Sequence, residues 1–219
     1  MDKIVQVQHV AVHCCTAKEA MKKVVDYMKH EPINVVELVT MQTLMKVWEQ
    51  EELLHLQEFD LMVAGNKEVL EAAGVTESRY LKEADDMLFF KMFLRYLHKN
   101  HKRVFVLTEE SAFVETFCAY AKERYAGVQI VGTASMEEHG ISDDMIVNKV
   151  NGTETDCIVA FLSSPLQEQF VIRNRSLLNA RMWIGLGRET EEKLSGRIVK
   201  NRLKKFFTRQ FLKNKIKKL

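Results

Sequence analysis

The chain of 219 residues is 47% apolar and carries a net charge of +2. This excludes a disordered chain and suits one α/β domain, since domains usually span about 100–200 residues. No run of about 18 apolar residues, enough to span a membrane, occurs in the sequence. Asp2, Lys3, Gln6 and Gln8 interrupt any apolar core of a signal peptide. We therefore expect a protein that is cytoplasmic or peripheral to a membrane.

The positive charge is concentrated near the C-terminal end. Residues 197–219 hold ten Lys or Arg and no Asp or Glu. Because the whole chain is only +2, the preceding 196 residues carry a net charge of −8. The sequence therefore predicts an acidic α/β domain over residues 1–196 and a basic appendage over residues 197–219.

Neither a metal ion nor another cofactor is predicted. The four cysteines lack metal-ligand spacing and two fall in apolar segments, so reduced core thiols are favoured over disulfides. The seven histidines show no metal spacing either. His98 and His101 stand at the basic end of a predicted helix, where a solvated side chain is the favoured interpretation.

Short apolar runs alternate with amphipathic segments over most of the chain. The runs that predict buried strands are residues 33–39, 59–64, 104–107, 128–132, 157–162 and 182–186. The segments that predict helices are residues 17–29, 44–48, 77–100, 113–124 and 143–150. Residues 4–12 alternate in part and suit one or two short edge strands. Together these elements predict an α/β fold with a mostly parallel, Rossmann-like sheet and helices on both faces.

Local details refine these elements. Thr16-Ala17-Lys18-Glu19 is a capping-box sequence that begins the first helix. Asn34 and Glu37 are expected to break the strand at residues 33–39. Residues 77–100 are apolar around most of a helix, which favours a core helix, with a lipid-facing segment as the alternative.

The stretch at residues 156–170 is expected to organise the functional site. Its buried strand ends at Ser163, and Pro165 suits the first turn of a following helix. Ser164 is the predicted N-cap, with Gln167 as its capping-box partner. The resulting turn presents backbone N–H groups at the carboxyl edge of the sheet, where open α/β sheets bind ligands. A helix N-terminus there favours an anion such as a diphosphate.

Three motifs support a family resemblance: Ser164-Pro165-Leu166-Gln167-Glu168, Arg173-Asn174-Arg175 and Ile184-Gly185-Leu186-Gly187. They resemble the Gly-Ser-Pro-Lys-Gln-Glu, Asn-Arg and Ile-Gly-Val-Gly sequences of the WecG/TagA/CpsF glycosyltransferases, glycosyltransferase family 26. The resemblance extends from about residue 16 to residue 196. It implies an inverting, metal-independent transfer of an N-acetylmannosamine-type sugar from UDP. The implied acceptor is N-acetylglucosamine linked to undecaprenyl diphosphate, in cell-envelope polysaccharide synthesis.

The resemblance also implies roles for residues at the sheet edge. Glu168 is the expected catalytic residue. The expected substrate-binding residues are Thr40, Gln42, Asn66, Ser163, Ser164 and Gln167.

Three positions depart from the family pattern. Gly65 stands where the family has the Asp assigned as catalytic base, and the nearby Glu68 is more typical of a surface residue near a helix N-terminus. Glu109-Glu110 replaces a Gly-Gly loop, and carboxylates there are expected to repel a phosphate. Glu189-Thr190 falls where the family has Gly-x-Phe-Asp.

Cationic residues outside this edge are expected to serve the acceptor and the membrane. Arg79 lies near an Arg that the family uses around its acceptor site. Residues 197–219 place apolar side chains at spacings of three and four among Lys and Arg, typical of a basic amphipathic helix on an anionic membrane surface. Arg197 and Arg202 are the predicted contacts there. The alternative is a solvated helix that packs on the domain.

Two functions follow from these patterns. The first is a transferase that uses a UDP-sugar and a lipid-diphosphate-linked sugar acceptor on the inner face of the cell membrane. The second is a catalytically inactive relative that serves as a membrane-attached binding partner in the same pathway, motivated by the three departures. No nucleic acid partner is predicted, and the sequence leaves a homo-oligomer open.

Overall fold

The computed structural model describes residues 3–7, 10–49, 56 and 58–194, apart from the side chains of residues 47–49 and 192. The predicted basic appendage, with Arg197 and Arg202, lies outside the described residues. The boundary predicted after residue 196 therefore stays a prediction.

Within the described residues, eight strands form one sheet. In chain order the strands are β1 (Lys3–Val7), β2 (Val10–Cys14), β3 (Asn34–Val39), β4 (Leu61–Ala64), β5 (Arg103–Thr108), β6 (Gln129–Ser135), β7 (Cys157–Phe161) and β8 (Met182–Gly185). The helices are α1 (Ala17–Tyr27), α2 (Met41–Glu49), α3 (Lys67–Ala72), α4 (Ser78–Asp85), α5 (Leu88–Lys99), α6 (Ser111–Arg124), α7 (Asp143–Asn151), α8 (Leu166–Asn174) and α9 (Arg188–Leu194). Among these described helices, none combines the length and apolarity needed to cross a bilayer.

The strand order is β1-β2-β4-β3-β8-β7-β5-β6. All neighbouring strands are parallel except β1 and β2, which form an antiparallel pair at one edge. The predicted mostly parallel, Rossmann-like α/β fold and the edge strands at residues 4–12 are therefore confirmed. β8, the last strand of the described chain, lies between β3 and β7 and joins the two halves of the sheet.

Side chains of the central strands alternate between two buried layers. Val35 and Val39 of β3 belong to one layer, whereas Val36 and Leu38 belong to the other. The first layer packs under α2, α3, α7 and α8, and the second packs under α1, α5 and α6. Burial on both faces explains why these strands read as almost continuous apolar runs.

Glu37 is the exception within these runs. The expectation that Asn34 and Glu37 break the strand is wrong, because β3 runs unbroken through both residues. Glu37 is 0% exposed, and Gln167 Nε2 donates a hydrogen bond to its Oε1. A buried polar group is tolerated inside a strand when it has such a partner.

Two helix starts test local predictions. The capping box of α1 is confirmed: Glu19 N donates to Thr16 Oγ1 at 3.2 Å, and Thr16 N donates to Glu19 Oε2 at 2.8 Å. The single helix predicted over residues 77–100 is wrong, since α4 and α5 are separated at Met87. Met87 has a φ of 52°, and a left-handed residue cannot continue a right-handed helix.

Candidate functional site

The carboxyl ends of four neighbouring strands place polar and small residues along one edge of the sheet. Thr40 follows β3, Gly187 comes shortly after β8, Ser163 comes shortly after β7, and Glu109 follows β5. Because these strands are parallel and adjacent, residues from distant parts of the sequence lie side by side. Such an edge is the usual ligand site of open α/β sheets.

Gln167 joins two of these strand ends to the interior of β3. Its side-chain Oε1 accepts hydrogen bonds from Leu162 N and Gly187 N, both at 3.3 Å. Its Nε2 donates to Glu37 Oε1. The side chain is only 1% exposed, so its amide is committed to protein partners and ties the ends of β7 and β8 to the interior of β3.

The start of α8 differs from the prediction. The helix begins at Leu166 with Pro165 at the N-cap position and no side-chain capping bond. Ser164 as N-cap and Gln167 as capping-box partner were therefore wrong, because the Gln167 amide turns toward the sheet. Ser164 is 9% exposed, and its hydroxyl interacts with the Glu168 carboxyl.

Two buried carboxyl groups, Glu37 and Glu168, lie beside this turn. Both are 0% exposed, and no described residue hydrogen-bonds Glu37 Oε2. Burial raises the pKa of Glu37 well above its ordinary value, and the charge of Glu168 raises it further. Burial likewise raises the pKa of Glu168, and this outweighs the hydrogen bonds from its own backbone N–H and from the Ser164 hydroxyl, which lower that pKa. Each carboxyl therefore keeps its proton to higher pH than an exposed glutamate does.

Because Gly185 has no side chain, the Glu37 carboxyl occupies the space beside its Cα. A Cβ at Gly185 would overlap Glu37 Oε2 and would lie 2.7 Å from Gln167 Nε2. Real Cβ contacts are longer than this, so any side chain at position 185 must displace Glu37 or Gln167. Position 185, in the Ile-Gly-Leu-Gly motif, therefore requires glycine, because any side chain there would collide with Glu37 and Gln167.

An acidic-loop cluster, formed by Glu109, Glu110, Ser163 and Arg188, lies at the same edge. Arg188 Nη1 is 3.5 Å from Glu109 Oε1, and Arg188 Nη2 contacts Glu110 Oε1. The other oxygen, Glu109 Oε2, accepts a hydrogen bond from Ser163 N at 2.9 Å. The expectation of simple repulsion between these carboxylates and a phosphate omitted Arg188, which offsets part of their charge.

Thr40, Gly65 and Asn66 meet at the ends of β3 and β4. Gly65 N donates to Val39 O at 2.7 Å, and a Cβ at Gly65 would lie 3.2 Å from Thr40 Cγ2. Thr40 Oγ1 accepts a hydrogen bond from Thr43 N at 3.1 Å. Asn66 Oδ1 is buried, and no described residue hydrogen-bonds it. The structure therefore places two predicted substrate-binding residues beside the position that lacks the expected carboxylate.

A cleft opens beside Gly65 and is also lined by Tyr80 and Glu83 of α4. Glu83 Oε2 accepts a hydrogen bond from Ala17 N at 2.7 Å, and Glu83 Oε1 accepts one from Arg79 Nε at 3.0 Å. The Arg79 side chain is 69% exposed. Arg79, predicted near the acceptor, therefore lies at the surface beside a cleft-lining residue.

The remaining predicted residues lie at helix starts. Gln42 is half-buried in the first turn of α2, and Glu68 is half-buried in the first turn of α3. Within the described part of the chain, no group of three or more His, Cys, Asp or Glu residues is arranged to hold a metal ion. The described cysteines are all free thiols, with Cys14 and Cys157 buried.

Sequence reasoning missed Glu37 and Arg188 as members of this site. A lone carboxylate within an apolar strand was the available signal for Glu37, since such a group is buried only with a partner. For Arg188, the signal was weaker. Two adjacent carboxylates at a sheet edge call for a nearby cation, and Arg188 follows the glycine that ends the Ile-Gly-Leu-Gly motif.

The sheet, covered on both faces and with its polar carboxyl edge, defines a Rossmann-like α/β protein with a ligand site at its strand ends. The sequence profile of the glycosyl transferase WecG/TagA/CpsF family matches residues 5–198 of this chain. The chain belongs to this family. Membership implies a glycosyltransferase of cell-envelope polysaccharide synthesis, with a sugar donor and a lipid-linked acceptor as substrate classes. A comparison with curated proteins gave no significant match.

Proposed function

We propose that the protein transfers an N-acetylhexosamine, of the N-acetylmannosamine type, from a UDP donor to a sugar linked to polyprenyl diphosphate. One observation carries this proposal: the family match includes the sheet edge at which Ser163, Ser164 and Thr40 end parallel strands. The donor diphosphate would bind at the turn before α8, where backbone N–H groups favour an anion. Gln42 and Asn66 would contact the substrates from the neighbouring strand ends.

In the proposed step, an acceptor hydroxyl oxygen attacks the anomeric carbon of the donor sugar. The bond from that carbon to the phosphate oxygen breaks, and UDP leaves with the electron pair. The hydroxyl proton passes to a base, for which we propose Glu168. Burial raises the pKa of this carboxyl, and a base works best when its pKa is near the operating pH. Because Glu168 is 0% exposed, the proposal requires substrate binding to open the turn before α8.

The second candidate function is that of a catalytically inactive relative that binds its ligands without transfer. It is favoured by one observation, the absence of a side chain at Gly65, where the family places its Asp. Such a protein would act as a membrane-attached partner in the same polysaccharide pathway.

Release of UDP separates the two functions. The purified chain is incubated with UDP-N-acetylmannosamine or UDP-N-acetylglucosamine and a lipid-diphosphate-linked sugar, and UDP is followed with time. We expect acceptor-dependent release that is lost in Glu168→Gln and kept in Glu68→Gln. Loss confined to Glu68→Gln would assign the base to Glu68. Saturable binding of UDP without any release would support the inactive relative.

Membrane binding is proposed for residues 197–219. Each basic residue near an anionic surface contributes about 1 kcal/mol, so the double variant Arg197→Gln/Arg202→Gln should weaken vesicle binding by about tenfold or more. The measurement is co-sedimentation of the full chain with vesicles that contain anionic lipid. The control is Arg79→Gln, which removes a positive charge near the predicted acceptor site and leaves residues 197–219 unchanged. Equal binding to neutral and anionic vesicles would contradict the electrostatic contribution.

A further inference from the structure

We propose that Arg188 is the cation that binds the donor diphosphate, and that Glu109 and Glu110 compete with the donor for it. The donor must then displace the chain's own carboxylates before it binds. This inference rests on the proposed function, because it concerns the donor half of the same site.

The contacts of Glu109 are those expected of a bound anion. One of its oxygens accepts a hydrogen bond from Ser163 N at 2.9 Å, and the other lies 3.5 Å from Arg188 Nη1. A backbone N–H beside a helix start and a guanidinium are the groups that proteins use for phosphate oxygens. The Glu109 carboxylate therefore occupies the position that an oxygen of a diphosphate would take.

The charges and exposure of the acidic-loop cluster allow a ligand to displace its carboxylates from Arg188. Its two carboxylates face one guanidinium, so they leave one negative charge in excess. The side chains are partly open to solvent: Arg188 is 40% exposed, Glu109 26% and Glu110 31%. An ion pair in such a position is worth little in isolation, which allows exchange with a ligand.

The competition has a cost in affinity. A ligand that requires free Arg188 binds with an apparent dissociation constant equal to the intrinsic one divided by the fraction of protein in which Arg188 is free. A diphosphate can replace both contacts of Glu109, whereas an uncharged nucleoside cannot. The cluster should therefore affect binding of UDP and of inorganic pyrophosphate but leave binding of uridine unchanged.

Calorimetric titration of the full chain with UDP, pyrophosphate and uridine at one ionic strength tests the competition. The double variant Glu109→Gln/Glu110→Gln removes the charge and keeps amide oxygens that can accept from Ser163 N. We expect UDP and pyrophosphate to bind about tenfold more tightly to this variant, with uridine unchanged. The matched control is Glu115→Gln/Glu123→Gln, which alters net charge equally on the exposed side of α6. This control variant should bind UDP with the affinity of the wild type.

The variant Arg188→Gln tests the cation itself. It should weaken UDP binding by about tenfold or more and remove the gain of the double variant when combined with it. Arg95→Gln, exposed on α5, is the control. If the wild type binds UDP and neither set of variants changes its affinity, the inference is overturned while the proposed function stands. If no variant and no wild type binds UDP, both are overturned.

Discussion

Replacing Gly185 by Ala should lower the free energy of unfolding by about 3 kcal/mol, at the upper end of the cost of overpacking. The added methyl would overlap Glu37 Oε2 and approach Gln167 Nε2 to 2.7 Å. Movement of Glu37 would strain its hydrogen bond with Gln167, and movement of Gln167 would strain the bonds that its amide accepts from Leu162 N and Gly187 N. Unpaired buried N–H groups would add about 1–3 kcal/mol each if the amide were expelled. Urea unfolding followed by circular dichroism measures the change.

Gly152→Ala is the control for this substitution. Gly152 caps the C-terminal end of α7 with a φ of −74°, and the nearest atom to a Cβ there is Asn148 O at 3.3 Å. Its stability should stay within about 1 kcal/mol of the wild type. A Gly185→Ala protein as stable as this control would contradict tight packing of Glu37 and Gln167 against position 185. Binding of UDP should fall with Gly185→Ala, since it disturbs the strand ends.

Glu168→Gln should lower kcat for transfer by about 100-fold, at the modest end of what a general base contributes. It should also raise stability at pH 8 by about 2 kcal/mol, because burial of the ionised carboxylate costs more than its hydrogen bonds return. The pKa of Glu168 is raised in the folded protein and is about 4.3 in the unfolded chain. Between these pKa values the folded state holds a proton that the unfolded state has lost. Its contribution to stability is therefore fully present below about pH 4 and is lost as pH rises through the folded pKa.

The pH dependence makes this prediction specific. Gln resembles the protonated carboxyl and does not titrate, so wild type and Glu168→Gln should have similar stability at pH 4 and diverge toward pH 8. Urea titrations at pH 4, 6 and 8 give the comparison. Glu68→Gln, on the half-buried first turn of α3, should show no such divergence. A Glu168→Gln protein that is less stable than wild type at pH 8 would contradict the conclusion that burial of the Glu168 carboxylate outweighs its hydrogen bonds.

The fold was predictable because its signals are local. The apolar runs give the strands, and the Thr16 capping box fixes the start of α1. The break at Met87 was not predictable from apolar periodicity, which continues through it. A left-handed residue interrupts the helix without interrupting the pattern of side chains.

The candidate site was predictable only as a position in the sheet. The Ser-Pro-Leu-Gln-Glu stretch indicated where the edge lies, but the partner of Gln167 is Glu37, 130 residues away in the chain. Arg188 and Glu109 are likewise 79 residues apart. Such pairs are set by which strands become neighbours, and a single sequence carries no direct signal of that order. The capping-box assignment failed for the same reason, since a local pattern was overridden by a tertiary partner.

The central place of β8 in the sheet affects how the chain reaches its native state during synthesis. Strands β1 to β4 can associate on one side, and β5 to β7 can associate on the other, well before Met182–Gly185 leaves the ribosome. Until that segment is inserted, β3 and β7 each present an unpaired edge that is a template for aggregation. The nascent protein is thus expected to need protection of these two edges until β8 has emerged and inserted between them.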